Sequence, residues 1–372
     1  MQLKDVQAVM LFPYSEDMLN VFKFRESLEF KINSVVSFKS WGYIGKDAGT
    51  IDGGSISGYI VKSDFDRELD KIDTVILGSF RKYYGDTDIV DRYLDKILKA
   101  KKNVILLENH QNVDLEQYIK KFEEMGLKFY YFAPEVRNAL LLNQISIPVI
   151  GVFGMEEDCG KTEMQLLIAR ALKKKGYKVS VIGSNTQIEL LGGNIYPKAL
   201  YGDDISEIKK IKTIRTFVND IVEREKPHLL IISSPYGVNS FGDDEIDYKY
   251  NGILSHIIIE ALHPDANIFC ANGGRDLRWN KRSIETLELL SCAPTISVFT
   301  KRLNKIPEIA STKLNIELKK GIFNDEIFAE LKRNCEELFD MKLADQDYVS
   351  DDEIVDLIEN TFRVKNKLLN II

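Results

Sequence analysis

Several features are scarce in this 372-residue chain, and each absence excludes something. Its four cysteines, Cys159, Cys270, Cys292 and Cys335, lie far apart. They form neither a disulfide framework nor a CxxC metal site. No apolar run approaches the roughly 20 residues needed to cross a bilayer. The opening MQLKDVQAVMLFPYSED has no basic segment followed by a long apolar run, so a secretory leader is not expected. No dense Lys/Arg block offsets the formal charge of −7, so nucleic acid and anionic membrane are not expected partners. Internal repeats and low-complexity segments are absent too. A cytoplasmic protein with reduced thiols is the expectation.

What is present fits a folded protein, 44% hydrophobic and 29% charged, and long enough for two domains. Short apolar runs alternate with longer amphipathic ones, the pattern of β-α-β units around parallel sheets. In the first half, 6–12, 33–38, 73–78, 103–108 and 128–132 read as strands, with helices over 16–30, 88–101 and 113–125. Residues 134–148 read as a helical connector. Strands follow at 148–154, 178–183, 228–233, 266–271 and 295–300, with helices at 161–176 and near 211–226, 253–262 and 281–291. The tail reads as a short strand, 312–318, and helices at 324–338 and 351–367.

The fold class expected is therefore α/β. A Rossmann-like domain over 1–145 precedes a P-loop domain over 146–302, and an α-rich extension over 303–372 packs on the latter. The first strand leads into Phe12-Pro13-Tyr14-Ser15 without a GxGxxG, so dinucleotide binding is not expected there.

The segment GVFGMEEDCGKTEMQL (151–166) carries the main chemical signal. A buried-type strand runs into a glycine loop, and a long helix leaves it, as a P-loop requires. Five residues separate Gly154 from Gly160, one more than in the common form. Loop N–H groups and the positive helix end would wrap phosphates, Lys161 would reach the β and γ phosphates, and Thr162 would ligate Mg²⁺. The nucleotide-binding set is Gly154, Glu156, Asp158, Cys159, Gly160, Lys161, Thr162 and Glu163, with Mg·ATP as the expected ligand. Three carboxylates, Glu156, Glu157 and Asp158, crowd a loop meant for an anion, and must face away or share a metal ion with it.

A Walker B acid is missing: the strand 228–233 ends in Ser233-Ser234-Pro235-Tyr236-Gly237, where Ser233 is a weak substitute. Asp203 and Asp204 sit in a loop with a switch-like position, against the plain reading of solvated acids. Gln187 and Glu189, just after a strand end, could orient an acceptor or water, or simply line a loop. His263 and Asp265 stand at the entry to a strand, where capping competes with acid-base work. Cys159 is either a loop-packing thiol or one made reactive by the helix end.

The long spacing resembles the P-loop class that includes dethiobiotin synthetase and the cell-division positioning ATPases. The wider layout resembles a bacterial family first catalogued as a domain of unknown function, some of whose members are D-glutamate N-acetyltransferases. The matching stretches are GKDAGTIDGG (45–54), GSNTQIELLGG (183–193) and ALHPDANIFCAN (261–272). Two departures stand out: Glu156-Glu157 replaces that family's Asp-Cys, and SSPYG (233–237) replaces its Glu-Gly-Gln-Gly-Ser. The acetyltransferase activity is not carried over. The opening MLFPYSEDMLNVFKFRE (10–26) and the length are similar to a clostridial family found in peptide-maturation gene clusters beside radical-SAM enzymes. That resemblance implies a role in maturing a ribosomally made peptide. Three readings follow: ATP-dependent phosphoryl transfer or carboxylate activation, a non-catalytic nucleotide-dependent switch, and CoA-dependent N-acyl transfer. Expected partners are nucleotide, precursor peptide or radical-SAM maturase, and a second copy of the chain as a homo-oligomer.

Overall fold

A computed structural model describes residues 6–15, 18–51, 55–80, 89–107, 114–131, 145–157, 159–202, 205–239, 252–271, 277–300, 343–346 and 349–364, with a few positions between 329 and 337. Contacts divide the chain into two units, the first built mainly from residues up to Phe132 and the second mainly from those after it.

The first unit holds five parallel strands: β1 Ala8–Phe12, β2 Lys31–Val35, β3 Thr74–Leu77, β4 Asn103–Leu106 and β5 Phe129–Tyr131, in the order β2-β1-β3-β4-β5. Its helices include α1 Leu19–Lys23, α2 Phe65–Leu69, α3 Ile89–Lys99 and α4 Leu115–Glu124. The single long helix expected over 16–30 is instead α1 and a 3-10 turn, Arg25–Ser27. Phe24 between them departs from helical geometry, with φ −101° and ψ 22°, and its N–H donates to Asn20 O and Phe22 O. The short helix α2 escaped the sequence reading; Asp64 caps it by accepting the Arg67 N–H.

In this strand order the crevice lies where β1 and β3 diverge. The carboxyl end of β1 there carries Phe12, with ring centroids 4.6 Å from Phe65, 4.5 Å from Tyr93 and 5.1 Å from Phe38. These rings belong to the buried core that packs against the end of β1.

The second unit holds seven parallel strands in the order β12-β11-β10-β6-β9-β7-β8. They are β6 Val149–Gly154, β7 Val179–Gly183, β8 Asn194–Ile195, β9 Leu229–Ser233, β10 Ala266–Ala271, β11 Thr295–Thr300 and β12 Leu343–Asp345. The described helices after Phe132 are α5 Lys161–Lys174, α6 Gln187–Leu190, α7 Glu207–Glu225, α8 Ile253–Leu262 and α9 Leu277–Ser291, followed by the C-terminal helix Asp351–Val364. β6, β7, β9 and β10 are buried at every position, as parallel strands covered on both faces must be. β8 and β12 were not foreseen, and β12 makes the tail more than an α-rich extension, because it pairs with β11. The connector, the 312–318 strand and most of the 324–338 helix fall outside the described residues. No described helix is long and apolar enough to cross a membrane.

One buried carboxylate anchors the first unit. Glu68 is 3% exposed, and accepts hydrogen bonds from Ser34 Oγ, Lys62 Nζ at 2.8 Å and Lys71 Nζ at 2.6 Å. Burial alone would raise its pKa, but these bonds outweigh burial and bring it from 4.5 to about 2. A depressed carboxylate gives stability that is complete above pH 4.5 and lost as pH falls towards 2. Glu68→Gln is expected to cost about 1–3 kcal/mol at pH 7 in urea denaturation. The gap from wild type should shrink on acidification through that window; a constant gap would count against the assignment.

Candidate functional site

The phosphate-loop candidate lies at the centre of the second sheet, where β6 emerges between β9 and β10. Gly154 ends β6 because nothing larger fits: a Cβ there would lie 2.3 Å from Cys159 Sγ and 2.8 Å from the Cys270 carbonyl. Gly160 ends the loop with φ 91° and serves as the N-cap of the 14-residue helix α5. Gly176, φ 94°, stops the far end.

β10 and the segment after β9 hold the loop. Met155 N–H donates to Cys270 O at 3.2 Å, and Val238 N–H donates to Gly154 O at 3.0 Å. From beneath, Gln165 on α5 is fully buried, and its Nε2 donates to Ile182 O at 2.9 Å and to Ile231 O at 3.4 Å. The segment after β9 is fixed in turn by α8: Ser255 Oγ donates to Gly237 O at 2.8 Å, and His256 Nε2 lies 3.0 Å from Val238 O. Burial pushes the His256 pKa down, which favours the neutral ring.

Lys161 is 4% exposed. Its ammonium donates to Glu156 O and, at 2.9 Å, to Glu157 O, with Cys159 Sγ at 3.8 Å. Among the described residues no carboxylate is bonded to it. The loop carboxylates are arranged otherwise. Glu157 is exposed, and its charge, after burial and Tyr236, helps push the Tyr201 hydroxyl upward. Glu163 is buried in the first turn of α5. Together with burial and Cys159, it holds the Cys270 thiol well above its ordinary range. Cys159 is buried, and its Sγ donates to Glu156 O at 3.1 Å, a loop-packing role. Thr162 is half-buried in the first turn, next to Lys161.

Other sequence candidates fall out unevenly. Ser233 ends β9, 3% exposed, with Oγ 3.5 Å from Ser234 O. Gln187 and Glu189 lie on the short α6, after the carboxyl end of β7, and Gln187 is 4% exposed. His263 and Asp265 take the capping alternative at the strand entry and are not brought to the loop. Asp265 accepts the Val149 N–H at 3.0 Å, at the start of β6, whereas the loop follows its end. His263 caps the carboxyl end of α8 with φ 44°. Both help line a cavity of about 330 Å³ at that opposite edge, with Arg215, Ser291 and Cys292. Asp158, Asp203 and Asp204 lie outside the described residues. Sequence reasoning missed Gln165, Ser255, His256 and Gln346, the last of which reaches Gly160 from the C-terminal strand. Helical spacing put Gln165 on α5, but nothing local announces what a buried amide will bridge.

The buttress is tight at Gly237, where a Cβ would meet Met155 O at 2.0 Å. Gly237→Ala is expected to cost roughly 1–3 kcal/mol through this clash. Unchanged urea unfolding of the variant would show that the 234–238 segment does not brace the loop.

No family model and no curated protein matches the sequence. Among solved structures, the chain is similar to a DUF1611 family protein from Anabaena variabilis ATCC 29413, with TM-score 0.65 and 14% identity over 95% of this chain and 99% of that one. It also matches an ADP-bound nucleotide-binding protein from Archaeoglobus fulgidus, with TM-score 0.29 and 12% identity over 57% of this chain and 86% of that one. The signal recognition particle 54 kDa protein from Aeropyrum pernix K1, solved with GDP, gives TM-score 0.31 and 11% identity over 81% and 65%. At such TM-scores the last two bear on nothing further. The first shows the architecture, an α/β pair of a Rossmann-like and a P-loop-like parallel-sheet unit, and at its identity it shows the fold alone.

Proposed function

We propose that the protein binds a nucleoside triphosphate, with ATP as the reference ligand, through the loop Gly154–Thr162. One observation carries this reading: a buried ammonium, Lys161, stands at the amino end of a 14-residue helix, held by carbonyl oxygens and by no described carboxylate. A buried charge is costly without an opposite charge, and helix N–H groups and a lysine together favour a phosphate. Lys161 would neutralise the β and γ phosphates, the N–H groups of the first turn of α5 would bind their oxygens, and Thr162 would hold Mg²⁺, which would draw charge from the leaving phosphate. Isothermal titration with Mg·ATP should give binding by wild type. Lys161→Ala should weaken it roughly tenfold to a hundredfold, the cost of one charge-assisted hydrogen bond. Equal affinities, or no binding by wild type, would sink the reading.

We also propose that the nucleotide serves maturation of a ribosomally made peptide, by phosphoryl transfer or carboxylate activation. Support for this comes from the resemblance of residues 10–26 to a peptide-maturation family. A nucleotide-dependent switch or scaffold for a maturase is the second reading, and the end of β9 favours it. Ser233 is buried there and turned towards Ser234 O, in the position where a Walker B acid would anchor Mg²⁺ through water. Incubation with Mg·ATP and a co-encoded precursor peptide separates the two. ADP or AMP with a peptide mass change supports the enzyme, and nucleotide-dependent association without turnover supports the switch. Acyl transfer from coenzyme A predicts acetyl-CoA binding that ATP competes away.

A further inference from the structure

The C-terminal segment reaches the loop through one side chain. Gln346 follows β12, and its own N–H donates to Thr300 O at 3.0 Å, extending the β11–β12 pairing. The side chain is 2% exposed, and Nε2 donates to the Gly160 carbonyl at 3.1 Å. That carbonyl already accepts the Met164 N–H at 2.9 Å, the bond that opens α5. It therefore takes two donors, one from its own helix and one from 186 residues away. Gln346 also packs on Gly160 itself, where a Cβ would lie 2.6 Å from Oε1.

Oε1 has no hydrogen-bond partner among the described residues, although it is buried. A buried acceptor without a donor is destabilising, so an apolar residue of the same length would serve packing better. What the carboxamide adds is the bond to Gly160. The rest of the segment is fastened along the same helix. Asp351 accepts from Arg170 at 2.8 Å and Lys174 at 2.6 Å, and Glu359 accepts the Tyr177 hydroxyl at 2.9 Å. Ser350 and Glu353 form a reciprocal capping box at the start of the C-terminal helix.

We propose that Gln346 is a positioning residue of the phosphate site. By holding the N-cap carbonyl of α5, it fixes the plane of the Gly160–Lys161 peptide and so the direction of the N–H groups that meet the anion. The assignment rests on the phosphate-loop reading of Gly154–Thr162. It makes the affinity of the loop depend on β12 being docked at the far edge of the sheet. The action is on phosphate, and no base or sugar is involved.

Wild type, Gln346→Met and Gln346→Glu are titrated with Mg·ATP and with tripolyphosphate, and each is melted without ligand. Met keeps the length and burial but cannot donate; Glu keeps the shape and turns an acceptor towards the carbonyl. The expected result for Gln346→Met is the same loss for both ligands, about threefold to tenfold, with a melting temperature within about 2 °C of wild type. Gln346→Glu should lose at least as much. Unchanged affinity in Gln346→Met would overturn the proposal. So would a loss confined to ATP, which would make Gln346 a base contact, or a loss matched by a large fall in melting temperature. A wild type that binds neither ligand removes the phosphate-loop reading and this one with it, whereas a binding wild type with an indifferent Gln346→Met removes only this one.

Discussion

The site depends on one buried charge. Lys161 is almost wholly out of solvent, and its ammonium rests on the carbonyls of Glu156 and Glu157. Carbonyl dipoles offset part of the cost of that burial, and an anion would offset the rest. The surrounding structure keeps this arrangement rigid. Gly154 and Gly237 bring backbones closer than any side chain would allow, and Gln165 ties α5 to the carbonyls of β7 and β9. The loop is thus braced by β10, by the segment after β9 and by Gln165 on α5.

The acids that crowd the loop in sequence do not crowd it equally in space. Glu157 is exposed and Glu156 is half-buried, while Glu163 is buried in the first turn of α5. Ser233 gives the end of β9 a small, buried hydroxyl where a metal-anchoring acid would otherwise stand. In the proposed reading, such a site would hold phosphate chiefly by lysine and backbone, an arrangement suited to ligand-dependent assembly as well as to catalysis.

Strands that are continuously apolar, such as β6 and β9, were legible because burial on both faces leaves a plain compositional mark. The loop was legible because a glycine at each end and a lysine opening a helix have a local geometric cause. Two-residue β8 and three-residue β12 carry too little pattern to be seen. His263 and Asp265 stand at the entry to β10, as the sequence indicated, and what it left open was the choice between capping and acid-base work, which depends on which end of a strand faces the ligand edge. They stand where β10 begins, and the ligand edge is where it ends. Gln346 was invisible for a different reason: its importance comes from strand order, which puts β12 in register with β11 and its side chain on Gly160.

The central claim is that the amino end of α5 meets a phosphate. The direct measurement is a titration of ¹⁵N-labelled protein with Mg·ATP, following the backbone amide resonances of Gly160, Lys161 and Thr162. The account predicts that these amide protons move downfield together as they bond to phosphate oxygens, with larger shifts than amides at the opposite edge, such as Val149. Saturating nucleotide that leaves these three resonances unmoved, or that moves the opposite edge instead, would contradict it.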